Sequence, residues 1–190
     1  IGCSRKPVDY KHSNYRHYSL DITDEPKVRS MFVDIRKTYQ RIDVLINNAG
    51  IASMNHILLT PLSTAQKILN TNIGGTFIFC QEAIKLMKKN KTGRIINITS
   101  VASPLKLQGE AIYASSKAAI INFTQILAKE IGGYGITVNA VGPTPVRTDL
   151  IKGVSEEKLN KVIGLQAIQR FGELRDISNV IDFFIQPESD

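Results

Sequence analysis

The sequence predicts an α/β fold: a doubly wound parallel sheet in one domain, residues 1–190. Three observations carry this. Short β-rich runs alternate with long helical patterns, the order expected of parallel strands joined by covering helices. Two of the runs, Val44-Leu45-Ile46 and Ile95-Ile96-Asn97-Ile98, are nearly continuous in apolar residues, as suits strands buried on both faces. The length of 190 residues is that of one domain, enough to bury roughly 70% of the surface the unfolded chain exposes.

In chain order, strands are expected at 1–4 and 16–20, then a helix at 26–39 that Asp24 caps and Pro26 opens. A third strand covers 43–47. Thr60-Pro61 with Ser63 caps and opens a long helix at 63–89, inside which Gly74-Gly75 predicts a bend that frees a carbonyl. The fourth strand, 93–98, leads to a helix at 109–131. Gly132-Gly133-Tyr134-Gly135 ends that helix and turns into a fifth strand at 136–141. This glycine group follows a helix and precedes a strand, the reverse of a phosphate cradle, so it is read as a turn. A last helix is expected at 175–185, and no repeat, low-complexity tract or linker divides the chain.

Composition excludes several classes. Apolar residues make up 43% and charged residues 22%, and no segment approaches the ~18 consecutive apolar residues a membrane span needs. Cys3 and Cys80 form neither a metal-binding spacing nor a disulfide framework, which points to a reduced, cytoplasmic setting and no metal. Lys plus Arg is 24 against 17 for Asp plus Glu, a net charge of +7 that favours phosphates, anionic surfaces or acidic protein partners. Solvated helix faces account for most of that excess. Stacked aromatics, a recognised motif and a continuous basic stripe are all missing, so nucleic acid is not an expected partner.

Tyr113 and Lys117 lie four apart, on one face of the expected helix. An ammonium beside a phenol favours the phenolate, drawing a pKa near ~10 toward the working range of a general acid or base. A surface pair has the same spacing, so the weight comes from the neighbours. Ser100 stands at the end of an apolar strand, where a carboxyl-end loop sets a hydroxyl over the edge at which open α/β sheets bind ligands. Asn72 lies beside the expected bend, and Asn47-Asn48-Ala49-Gly50 closes the third strand.

With Asp43-Val44-Leu45-Ile46 before that turn, Tyr113-Ala114-Ser115-Ser116-Lys117, and Val138-Asn139-Ala140-Val141-Gly142-Pro143, the chain resembles the short-chain dehydrogenase/reductase family from Ile1 to about Ile185. The resemblance implies a Rossmann-like fold and a catalytic set of Asn72, Ser100, Tyr113 and Lys117. Tyr113 would act as general acid or base, Lys117 would lower its pKa and bind the nicotinamide ribose, and Ser100 would donate to the carbonyl oxygen. The backbone carbonyl of Asn72 would hold a water leading to solvent. Asp21 and Ile22 would contact adenine, Asn48, Ala49 and Gly50 the ribose side, and Val146 and Thr148 the carboxamide. After the first strand, Ser4-Arg5-Lys6 stands where an acidic residue would grip a free ribose hydroxyl, and a guanidinium beside a hydroxyl suits a phosphate, so NADP is favoured over NAD.

The function so implied is an NADP-dependent oxidoreductase interconverting a ketone and a secondary alcohol. Its small-molecule substrate is a carbonyl compound or alcohol, a 3-oxoacyl thioester carried on an acyl-carrier protein being one candidate, and a homotetramer is expected. The alternatives are an NAD-dependent alcohol or sugar dehydrogenase, or a non-catalytic family remnant. Two departures from the family pattern stand out. The resemblance implies a chain truncated at both ends, without the N-terminal Gly-rich unit and the C-terminal strand. Thr144 follows Pro143 where glycine is usual, with an effect expected to be local.

Overall fold

A computed structural model describes residues 1–189. The strands are β1 (Gly2–Ser4), β2 (His17–Ser19), β3 (Val44–Asn47), β4 (Gly93–Ile98) and β5 (Ile136–Val141). The helices are α1 (Glu25–Tyr39), α2 (Leu62–Leu69), α3 (Thr76–Asn90), α4 (Ala102–Leu105), α5 (Ala111–Ile131), α6 (Glu156–Gly164) and α7 (Leu174–Ile185). Every strand pairing is parallel, and the strands alternate with helices as the sequence pattern requires.

The parallel, helix-covered architecture is the expected one, and the sheet is in two parts. β1 pairs with β2, while β4 lies between β3 and β5, with Leu45 opposite Ile95 and Ile95 opposite Val138. Alternate residues of a parallel strand address opposite sides. The Gly2 N–H donates to Arg16 and the Ser4 carbonyl accepts from Leu20, so the backbone groups of Cys3 face away from β2. The Asp43 carbonyl accepts from Arg94, so those of Val44 face away from β4. Both edges line one cavity of about 1430 Å³. Ile46 of β3 is 43% exposed, whereas Ile95 and Ile96 of β4 are fully buried.

Helical periodicity builds the core around this frame. Val28, Met31, Phe32 and Ile35 recur along one face of α1, and Cys80, Ala83 and Met87 along one face of α3. Both stripes join Leu20, Ile95, Ile136 and Val138 in a single buried cluster. Asp24 caps α1 by accepting from the Lys27 N–H, as expected. The expected cap at Thr60 does not form, because its hydroxyl donates backwards to the His56 carbonyl and Pro61 stands at the N-cap without a side-chain bond. Gly135 turns into β5 at φ +72, and a Cβ there would meet the Lys91 carbonyl at 2.3 Å, so the turn requires glycine.

The long helix expected at 63–89 is three pieces. Between α2 and α3, where a bend was expected, the chain opens into a wide π turn, Asn70–Gly75. The helix expected from 109 starts at Ala111, after Gly109 at φ +82.

A buried amide network ties the three-stranded sheet to its helices. The Asn47 amide donates to the Asn97 side-chain carbonyl at 2.8 Å and to Cys80 Sγ at 3.2 Å, and the Asn97 amide donates to the Thr124 hydroxyl at 2.9 Å. Asn97 is fully buried. Asn97→Leu leaves Asn47 and Thr124 short of partners, at about 1–3 kcal/mol for each buried group left unpaired. The expected loss in urea unfolding is about 2–4 kcal/mol, and an unchanged midpoint would contradict the network's role.

Candidate active site

The carboxyl ends of β3 and β4, the π turn and the start of α5 converge on one region. Tyr113 and Lys117 lie on one face of α5 as their spacing predicts, each only 6% exposed. The Lys117 ammonium donates to the Ile98 carbonyl at 2.8 Å, at the end of β4. Ser100 follows two residues later, and its hydroxyl oxygen accepts from the Ala102 N–H at 3.1 Å. That bond leaves its O–H to donate beside Tyr113.

Asn72 joins the same region from the π turn. Its side-chain carbonyl accepts from the Ile51 N–H at 2.9 Å, and its amide donates to the Ile51 carbonyl and the Ser116 hydroxyl. The Ser116 hydroxyl in turn donates to the Tyr113 carbonyl at 2.7 Å. Asn72 thereby links the loop after β3 to the helix carrying Tyr113 and Lys117. Its backbone carbonyl, expected to be free, accepts from the Thr76 hydroxyl at 2.9 Å within the same turn.

The electrostatics differ from the sequence expectation in one respect. Burial pushes the Tyr113 phenol above its ordinary range; the Ser100 hydroxyl pulls it back and the nearby Glu110 carboxyl raises it again. Lys117 was expected to depress it, but its ammonium is bonded to Ile98 and lies 6.0 Å from the ring centroid. Burial also lowers the Lys117 ammonium to about 8.

Seven expected cofactor contacts, Ser4, Arg5, Asp21, Ile22, Asn48, Ala49 and Gly50, line the cavity between the two sheets. Arg5 makes no hydrogen bond or ion pair among the described residues, whereas the Ser4 hydroxyl donates to the Lys6 carbonyl and meets His17. Asp21 accepts from the Thr23 N–H and hydroxyl, which hold its carboxyl below the usual range, and Arg5 adds to the fall. A Cβ on Gly50 would stand 3.3 Å from Asn72 Oδ1 and 3.4 Å from Lys117 Nζ. That close approach joins the cavity to the Tyr113 and Lys117 region. Val146 and Thr148 lie apart from the cavity lining: Val146 bridges to Gly172, and Thr148 is exposed at the start of a short 3₁₀ turn.

Several residues of the site carried no separate signal. Ile51 and Ile98 act through backbone groups, which composition does not mark. Glu110 stands three residues before Tyr113, and that spacing was its available signal. Thr144 does more than adjust its turn, since its hydroxyl donates to Gln166 and tethers the segment after α6 to the end of β5.

A family profile described as Enoyl-(Acyl carrier protein) reductase matches residues 6–190. The chain belongs to the short-chain dehydrogenase/reductase family. Among curated members of that family, it is 32% identical over 181 residues to the 3-oxoacyl-[acyl-carrier-protein] reductase FabG of Escherichia coli (strain K12), covering 95% of this chain and 74% of that protein. The 3-oxoacyl-[acyl-carrier-protein] reductase of Synechocystis sp. is 40% identical over 145 residues, 76% of this chain and 58% of the relative. Among solved structures, ElxO with NADP bound superposes with a TM-score of 0.83 at 32% identity, over 91% of this chain and 71% of that one. A tyrosine-to-phenylalanine variant of ElxO with NADPH bound gives 0.84 at 31% identity, over 93% and 74%.

Lys117 gives a prediction with a definite sign. Its folded value of about 8 lies below the ordinary 10.5, so between those pH values the folded chain binds fewer protons than the unfolded chain. Stability from this group therefore rises with pH across that window. A Lys117→Met variant is expected to be the more stable at pH 7, its advantage shrinking by on the order of 2 kcal/mol by about pH 10.5. Urea unfolding of both proteins at the two pH values reads this, and a constant difference would refute it.

Proposed function

We propose that this chain is an NADP-dependent oxidoreductase that reduces a ketone to a secondary alcohol, with Tyr113 as the general acid. The observation that carries the reading is the convergence of Ser100 with the buried Tyr113 and Lys117, tied through Asn72 to the loop at Gly50 on the cavity. A phenol held above its ordinary range is protonated at neutral pH, the state a proton donor needs. The Ser100 O–H would donate to the substrate oxygen as negative charge develops there. The Lys117 ammonium, anchored on the Ile98 carbonyl, would steady that charge and bind the nicotinamide ribose.

The residues present suit the cofactor. Seven of the expected contacts line one cavity of about 1430 Å³, together with core side chains such as Met31, Phe32, Ile35 and Phe79. The Arg5 guanidinium, which makes no hydrogen bond or ion pair among the described residues, lines it with Ser4 alongside, a pairing that suits a ribose phosphate. Asp21 and Ile22 would meet adenine, Asn48, Ala49 and Gly50 the ribose side, and Val146 and Thr148 the carboxamide. When bound, the nicotinamide supplies the hydride. The NADP and NADPH in the ElxO structures support this choice.

The curated relatives named for 3-oxoacyl-[acyl-carrier-protein] reduction support a 3-oxoacyl thioester as substrate. The net charge of +7 suits an acidic carrier protein. We further infer a cytoplasmic homotetramer; Phe77 of α3 and Ile126 of α5 stand about half exposed on the helices that would pack against symmetry mates.

Tyr113→Phe is expected to lower turnover of an acetoacetyl thioester by about 10²–10⁴-fold with NADPH affinity nearly intact, because it deletes the acid and keeps the ring. Retained turnover would sink the assignment. Arg5→Ala is expected to lower the preference for NADPH over NADH by about 10–100-fold, read as the ratio of the two dissociation constants. An unchanged ratio would remove Arg5 from the phosphate site.

A further inference from the structure

The Arg5 guanidinium lines the cavity but makes no hydrogen bond or ion pair among the described residues, so its place depends on the backbone that carries it. That backbone is irregular from residue 5 to residue 16, after β1 ends at Ser4 and before β2 begins at His17. A side chain on such a segment is free to swing unless its neighbours are held.

Both neighbours of Arg5 are held by one ring. His17 Nε2 lies 3.1 Å from the Lys6 carbonyl oxygen and 3.1 Å from the Ser4 hydroxyl, and that hydroxyl donates to the same carbonyl at 2.7 Å. A carbonyl only accepts, so Nε2 carries the hydrogen and donates it between the two oxygens. In the neutral ring Nδ1 is then an acceptor, and the Tyr15 hydroxyl stands 2.9 Å away to donate to it. Tyr15 is seated in its turn. Its hydroxyl lies over β1 at Gly2, where a Cβ would come within 2.1 Å of it, and its ring packs edge-on against Tyr10 with 5.1 Å between centroids. Gly2 also stands opposite His17 in the β1–β2 register, a position of β1 with no side chain to displace the imidazole.

We propose that His17 is a positioning residue for the choice of cofactor. By binding the Ser4 hydroxyl and the Lys6 carbonyl on either side of Arg5, it keeps the guanidinium at the cavity, ready for the phosphate on the adenine ribose of NADP. This deepens the NADP reading and rests on it. Without the imidazole the turn has to be ordered as the phosphate binds, which lowers affinity for NADPH. NADH brings no phosphate to Arg5, so its affinity is untouched.

Fluorescence titration with NADPH and with NADH supplies the test, in wild type and in His17→Leu, His17→Gln, Arg5→Ala and the Arg5→Ala/His17→Leu double variant. His17→Leu is expected to weaken NADPH about three- to tenfold and to leave NADH unchanged. His17→Gln, which puts an amide N–H near the Nε2 position, should keep most of the wild-type affinity. In the Arg5→Ala background His17→Leu should have no further effect, because the group it positions is gone. An equal loss for both nucleotides would mark a merely structural role and overturn the proposal. So would an unchanged NADPH affinity in His17→Leu, additive effects in the double variant, or a wild-type chain that binds neither nucleotide. If Arg5→Ala lowers the preference while His17→Leu does not, the NADP reading stands and only the role of His17 falls.

Discussion

Taking an ammonium out of water costs several kcal/mol unless a polar partner is waiting, and Lys117 is nine-tenths buried with the Ile98 carbonyl as its hydrogen-bond partner. That carbonyl is available only because β4 ends there, and β4 is where it is because its neighbours β3 and β5 flank it on both sides. The register of the three-stranded sheet, the length of β4 and the rotation of α5 all have to agree for one N–H···O bond to close. The amides of Asn47 and Asn97 fix that agreement from below, and Asn72 and Ser116 fix it from the side. The region around Tyr113 is thus held by buried polar groups that admit few alternatives, which is how a side chain is kept from wandering.

The fold class was legible because period and burial speak through side chains. Ile95 and Ile96 read as a two-faced strand and are fully buried, and the helix expected at 26–39 forms, burying Val28, Met31, Phe32 and Ile35. Asp24 was readable as a cap because an oxygen two bonds from the backbone is a local device. The pairing of strands was less readable. Nothing in Gly2-Cys3-Ser4 or Val44-Leu45-Ile46 states which backbone edge meets a partner, since every residue offers the same N–H and C=O.

The candidate site shows the same division. Tyr113, Lys117, Ser100 and Asn72 were visible as residue types at fixed spacing, and the chain draws them together. Their charge states were not, because spacing says nothing of desolvation: burial raises the Tyr113 phenol and lowers the Lys117 ammonium, moving both toward their uncharged forms. Thr144 was read as a substitution in a turn, and its tether to Gln166 emerged only once a residue 22 positions away had been brought against it.

The wide turn at Asn70–Gly75 has a consequence for how this chain tolerates insertions and deletions. A π turn behaves as an α-helix with one residue too many, and each residue rotates the remainder of the helix by about 100°. Removing one position there would regularise the helix, and it would also swing the Cys80, Ala83 and Met87 stripe off the sheet, taking the Asn72 side chain out of line with Ser116. Sequences descended from a common ancestor of this chain should therefore vary freely in residue type along the outer face of α3 while holding the residue count between Leu62 and Asn90 constant.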